Sequence, residues 1–173
     1  MRSITIKGKH NIDKINEIGN ESYQAIRTHM RNIDPTLLKP VAQLDLIRKM
    51  YMDETYEFSL KSLIKSELTH KIQGYKGQDL KKEVHDTLSL IHLDDVLEKL
   101  VGSQLTCCYC TKPVLVLYTN VRDPEQWTLD RIDNALGHTK ENTCIACLKC
   151  NLQRRVMAVD KFTFTKKLKI NKI

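Results

Sequence analysis

Apolar residues recur at helical spacing over most of the first hundred positions. Ile12, Ile15, Ile18, Tyr23, Ile26, Met30 and Ile33 predict a helix over residues 11–33, weakened at Gly19 and closed by Asp34-Pro35. A second helix starts near Pro40, a residue suited to the first helical turn, with Val41, Leu44, Ile47, Met50 and Tyr51 on its apolar face. Phe58, Leu60, Leu63, Ile64, Leu68 and Ile72 predict a third. Gly74 and Gly77 then predict a polar loop through Asp79, and Leu80, Val84, Leu88 and Ile91 form a further helical stripe. Leu93-Asp94-Asp95 reads as a helix start, with acidic residues at the positive end of the helix dipole and Gly102 as the stop.

The pattern changes after Cys110. Val114–Tyr118 is a short apolar, β-branched run that predicts a strand or an extended segment. Residues 126–132 alternate Trp127, Leu129 and Arg131 against Thr128, Asp130 and Ile132. A loop over 134–142, a second strand over 143–146 and a helix from about Leu148 follow. Asp160 is placed to cap a last helix carrying Phe162, Phe164 and Leu168. The expected class is therefore α+β: a mainly helical region over residues 1–103, then a small strand–loop–strand–helix unit over 104–173 ending in a basic helix.

Charge sharpens this division. The chain has 173 residues and a formal net charge of +7. Lys and Arg nearly balance Asp and Glu over residues 1–100 and outnumber them about two to one over 101–173. A basic third of this kind points to a polyanion, most simply nucleic acid, although a solvated basic surface would look the same by composition. No segment resembles a signal peptide and no apolar run approaches a membrane span, so the expectation is a soluble intracellular protein of cytoplasm or nucleus, with no membrane partner.

All six cysteines fall between Cys107 and Cys150. Cys107/Cys110 and Cys147/Cys150 form two Cys-x-x-Cys knuckles, the usual way to hold one tetrahedral Zn2+ through four thiolates. Cys108 and Cys144 lie outside the knuckles and read as ordinary small residues. Between the knuckles runs Leu129-Asp130-Arg131-Ile132-Asp133-Asn134, then Gly137-His138-Thr139 and Glu141-Asn142; Asn151 follows the last cysteine directly.

Residues 104–157 resemble the HNH endonucleases of the ββα-metal (His-Me finger) superfamily in their four-cysteine zinc form. The Asn directly after the last zinc cysteine is similar to the recombination endonuclease VII group, and the Asp-Arg-Ile-Asp-Asn string to HNH proteins of large DNA viruses and phages, so an infected cell is one expected setting. The resemblance implies a structural Zn2+ on Cys107, Cys110, Cys147 and Cys150. It also implies a separate catalytic Mg2+ or Mn2+ held by Asp130 and Asn151, and an Asn142 that orients the loop. A carboxylate plus a neutral amide leaves coordination sites for water and phosphate oxygens, as Mg2+ prefers. DNA is the implied partner.

Arg131 departs from the pattern. It stands where the family has the histidine that deprotonates water, and arginine stays protonated near neutral pH. It can grip a phosphate instead, and metal-bound water can then suffice at a slower rate unless another group serves as base. His138 is then the first candidate base, with Tyr118 or Asp133 behind it; equally, a loop histidine can be merely solvated. Arg154, Arg155, Lys166 and Lys167 are candidate DNA-phosphate contacts. Trp127 reads as core. The sequence leaves open a zinc-containing DNA-binding protein without catalysis, an interaction factor working through its helical half, and a homodimer.

Overall fold

The computed structural model describes residues 7–9, 12, 25–53, 55–84 and 89–168. Among these it has five α-helices and one two-stranded antiparallel sheet, an α+β arrangement: α1 Pro40–Met52, α2 Lys61–Lys81, α3 Leu93–Gly102, β1 Trp127–Arg131, β2 Thr143–Cys147, α4 Leu148–Arg154 and α5 Val159–Lys167. Most of the helix expected over 11–33 lies outside the described residues. Its described end is extended at Ile26, which bridges Asn120, and then turns through a short 3-10 segment, Thr28–Met30.

α1 begins where the sequence placed it. Pro40 occupies the first turn, where its missing N–H costs nothing. Its most telling buried residue is polar. Gln43 is 1% exposed and donates from Nε2 to the carbonyls of Leu38 and Leu117, while its Oε1 accepts from the backbone N–H groups of Val116 and Leu117. This is why Val114–Tyr118, expected as a strand or an extended segment, is not a ladder strand. Its backbone groups are satisfied partly by a side chain, with only a bridge between Leu115 and Gln126.

The loop expected at residues 73–79 is instead the last third of α2. The helix passes through Gly74 and Gly77 and ends at Lys81; of the apolar stripe expected from Leu80 through Ile91, Leu80 falls within α2, Val84 and Ile91 lie beyond it, and Leu88 lies outside the described residues. The buried face of α2 explains its length: Ile64, Leu68, Ile72, Tyr75 and Asp79 are all inward-facing, at the i, i+4, i+8, i+11, i+15 spacing of one helical stripe. Burial of that face outweighs the roughly 1 kcal/mol that each interior glycine costs. α3 has Asp94 and Asp95 in its first turn, and the Asp95 carboxylate accepts from the His92 N–H at 3.1 Å. Val96, Leu97 and Leu100 point inward.

β1 and β2 pair from Trp127↔Cys147 to Arg131↔Thr143, with Asp130 opposite Cys144. α4 follows β2 without a linker, its first turn bonded by the Cys147 sulfur, which accepts from the Cys150 N–H. Asp160 sits in the first turn of α5 while Ala158 is the cap residue, and only Phe162 of the expected apolar trio is buried. One apolar cluster runs through both halves of the chain, from Ile47, Ile64 and Leu68 to Trp127, Leu129 and Ile145. No helix among the described residues is long and apolar enough to cross a membrane.

Candidate functional site

Cys107, Cys110, Cys147 and Cys150 place their sulfur atoms within 4.8 Å of one another, three of the residues being buried. Four thiolates around a tetrahedral ion at about 2.3 Å would sit roughly 3.8 Å apart. The Cys110 and Cys147 sulfurs are 3.9 Å apart, and the sulfur-only donor set suits a borderline-soft ion. The cluster could therefore hold a metal ion. It lies where the two-stranded sheet meets α4, so an ion bound there would fix the register of β2 against the helix start.

A cleft of about 620 Å3 opens along β1. Its walls come from both halves of the chain: His70, Lys71, Tyr75 and Lys82 from α2 and its end, Arg131 and His138 from β1 and the following loop, and Asn151 and Arg155 from α4 and its end. His138 lines the cleft from the loop after β1. Its Nδ1 lies 2.7 Å from Asp79 Oδ1, and its backbone N–H donates to Asp79 Oδ2 at 2.7 Å. Asp79 is 1% exposed. A carboxylate accepts only, so Nδ1 carries the proton and the neutral ring keeps its lone pair on Nε2. Nε2 has no bonding partner among the described residues, nor is it counted among their sealed, unpartnered polar atoms, of which Trp127 Nε1 is the one case.

The ring of Tyr75 stacks on His138 with centroids 4.5 Å apart, and the Tyr75 hydroxyl accepts from the Leu129 N–H at 2.9 Å. Burial pushes the His138 pKa below its ordinary value, against the hydrogen bond to Asp79, which pulls it up. Burial thus favours the neutral ring. Gly137 is required by close approach: a Cβ there would meet the Val84 carbonyl at 2.7 Å and Asp79 Oδ2 at 3.2 Å.

Arg131 is buried beside this pair, its Nη1 donating to the Leu136 carbonyl at 3.2 Å and lying 3.9 Å from Asp79 Oδ1. Asn142 ties the loop. Its Oδ1 accepts from the Asp133 N–H, and its Nδ2 donates to the Asp133 and Gly137 carbonyls. The remaining candidate bases are engaged elsewhere. Asp133 is an exposed turn residue accepting from the Ala135 N–H. Tyr118 is buried under Arg27, and burial raises its pKa. Lys71, lining the same cleft, donates to Gln126 Oε1 at 3.0 Å and to the Trp127 carbonyl; burial first, then Arg27, push its pKa down to about 7.

The expected divalent-ion pair is differently placed. Asp130 is 4% exposed, and both of its oxygens are taken: Oδ2 accepts from Arg154 Nε at 2.5 Å and from the Tyr109 hydroxyl at 2.8 Å, and Oδ1 from Arg154 Nη2 at 2.7 Å. Asn151 turns its amide N–H groups to Thr128 Oγ1 and the Leu129 carbonyl. A fork–fork guanidinium–carboxylate pair neutralises the charge that a hard dication would need. Asp130, with both oxygens bonded, does not fit Mg2+ or Mn2+ as placed, although it and Asn151 both line the cleft. For the same reason Arg154, expected on the DNA-facing surface, is corrected to an internal role. It is 1% exposed and also donates to the carbonyls of Arg131 and Met157.

Arg155 is exposed at the cleft rim with φ 53°, a conformation costly for a residue with a side chain. Lys166 donates to Gln153 Oε1 and sits over the Phe162 ring; the side chain of Lys167 lies outside the described residues. Sequence reasoning missed Asp79, Tyr75 and Tyr109. The signal for the first two was present, since Tyr75 and Asp79 continue the stripe of Leu68 and Ile72, but the glycines read as breakers.

The chain matches no protein-family model, no curated protein and no solved structure.

Proposed function

We propose that the protein is an endonuclease that hydrolyses DNA phosphodiester bonds in the basic cleft between α2 and the β1–β2–α4 unit, an HNH-like finger stapled by Zn2+. The observation that carries this reading is the buried Asp79–His138 pair, whose histidine lines a cleft together with Arg131. His138 Nε2 takes the proton of the attacking water, and Asp79 holds the ring in the tautomer that leaves this nitrogen free. The Arg131 guanidinium balances charge on the phosphoryl oxygens. Arg155 and Lys82, on opposite sides of the cleft, hold neighbouring phosphates. Zn2+ on the four cysteines supplies rigidity alone. The resemblance expects Mg2+ or Mn2+ as well, but no step is assigned to an ion at Asp130, because Arg154 already occupies that carboxylate.

Plasmid nicking tests this. Wild-type protein should relax supercoiled DNA, and His138→Ala should slow it by about 10²–10⁴, the usual contribution of a general base. Unchanged nicking by His138→Ala would sink the assignment. Assays with Mg2+, Mn2+ and chelator, with Asp130→Ala and Asn151→Ala alongside, decide the metal question separately.

The Asp130–Arg154 pair favours one second reading, a zinc-containing DNA-binding protein that has lost cleavage. Salt-sensitive binding with no nicking in any metal would establish it over the first.

A further inference from the structure

Two cysteines remain outside the four-sulfur cluster, and they meet. The Cys108 and Cys144 sulfurs are 2.9 Å apart. The backbone enforces this approach: the Cys108 N–H donates to the Ile145 carbonyl at 2.9 Å, pinning the first knuckle against β2 beside Cys144. Cys108 is exposed and Cys144 is half-buried. Both line a shallow recess of about 390 Å3, with Lys99 and Thr143 among its walls, on a different surface from the cleft. Neither residue belongs to the candidate metal-ligand set.

We propose that Cys108 and Cys144 form a peroxide-reactive dithiol, a modification site that closes to a disulfide independently of the metal cluster. The exposed Cys108 sulfur attacks one oxygen of hydrogen peroxide. The O–O bond breaks, one water leaves after proton transfer, and Cys108 becomes a sulfenic acid. The Cys144 sulfur then attacks the Cys108 sulfur, the S–O bond breaks, and its hydroxyl leaves with the Cys144 proton as a second water. Two thiols are oxidised to one disulfide and one peroxide is reduced to two waters. A disulfide needs its sulfurs at about 2.05 Å, so they must close by roughly 0.9 Å, within the reach of side-chain rotation. The four cluster sulfurs are spared because thiolates bound to a metal ion are its ligands rather than free nucleophiles.

The site adjoins the interior of the finger. Cys144 contacts the Tyr109 hydroxyl at 3.7 Å, and that hydroxyl donates to Asp130. The inference goes beyond the nuclease reading and does not depend on it.

The test treats the Zn2+-loaded full chain with hydrogen peroxide and follows intact mass, metal content and tandem mass spectra of its peptides. The expected result is loss of about 2 Da, a Cys108–Cys144 cross-link, retained zinc, and reversal by dithiothreitol. Cys108→Ser, at an exposed position, should abolish the mass loss without releasing zinc, and Cys144→Ser should also abolish it. Three results would each overturn the proposal: zinc release with cross-links among the cluster cysteines; oxygen addition at Cys108 while Cys144 still takes an alkylating agent; or no mass change at all.

Discussion

Arg154 and Arg155 are neighbours in sequence with opposite surroundings, and their substitution should separate stability from binding. Arg154 is 1% exposed and makes a two-point contact with buried Asp130. Arg154→Ala removes that partner and leaves a buried carboxylate with the Tyr109 hydroxyl alone, together with the unpaired carbonyls of Arg131 and Met157. Breaking one side of a buried ion pair costs about 3–5 kcal/mol. For a domain of this size each kcal/mol moves the melting temperature by about 2–4 °C, so the expected fall is roughly 6–20 °C. Replacing both partners by apolar residues, as in Asp130→Leu with Arg154→Met, should recover part of it, and the double-mutant cycle should give a coupling above about 1 kcal/mol. Arg155→Ala should leave the melting temperature within about 1 °C, as expected of an exposed site. It should instead weaken DNA affinity and reduce the slope of log affinity against log salt by about 0.9, one phosphate contact. Thermal unfolding of the Zn2+-loaded protein and fluorescence anisotropy with a labelled duplex read the two effects. The reasoning fails if Arg154→Ala melts like wild type and loses DNA affinity, since that is the behaviour of a surface phosphate contact.

Three further predictions follow from the same geometry. Burial holds His138 below its ordinary pKa of about 6.5, so as pH falls through that value the unfolded chain takes up the proton first; stability is full above it and declines below it. His138→Gln should flatten that decline in urea unfolding, and the acid limb of the nicking rate should have its midpoint below about 6.5. Asp79→Asn removes the group that raises the His138 pKa, so it should move the limb further down while lowering the plateau rate; a limb unmoved by Asp79→Asn would contradict the pairing. Gly77→Ala should stabilise by about 0.5–1 kcal/mol, because the site is helical and nothing lies within 4 Å of the added carbon. Gly137→Ala should destabilise by about 1–3 kcal/mol by driving that carbon onto the Val84 carbonyl; thermal melts of the pair check both signs. Removing the metal with a strong chelator should unfold the β1–β2–α4 unit, since ion binding in such sites is folding energy; Trp127, buried at the end of β1, reports this by fluorescence.

The sequence exposed what depends on short-range periodicity and hid what depends on which half meets which. α1, α3 and both strands were legible because each carries an unbroken pattern and a terminal signal, such as Pro40 or the Asp94-Asp95 turn. The four-cysteine cluster was legible because knuckle spacing is a local constraint. The run over 73–79 was misread because glycine propensity was weighed without the burial that overrides it: Tyr75 and Asp79 are core positions of α2, each committed to a partner more than fifty residues away. Val114–Tyr118 was legible only as a strand or an extended segment; which of the two it forms depends on Gln43, whose side chain accepts from the Val116 and Leu117 N–H groups in place of a neighbouring strand.

The same long-range pairing sets the surroundings of the site residues. The sequence offers Asp130 as a free carboxylate and His138 as the first candidate base, with no partner visible for either. In the folded chain each is defined by its partner. Arg154, one helical turn beyond the last cysteine, reaches back to Asp130 and removes it from the surface. Asp79, from the other half of the molecule, reaches His138 and fixes which nitrogen it presents. Arg131, which cannot act as a base, lies 3.9 Å from Asp79, where its positive charge opposes protonation of the histidine beside it. Arg131 and Asp79 thus act on His138 in opposite directions, one from β1 and one from α2, and this arrangement exists only while α2 lies against β1.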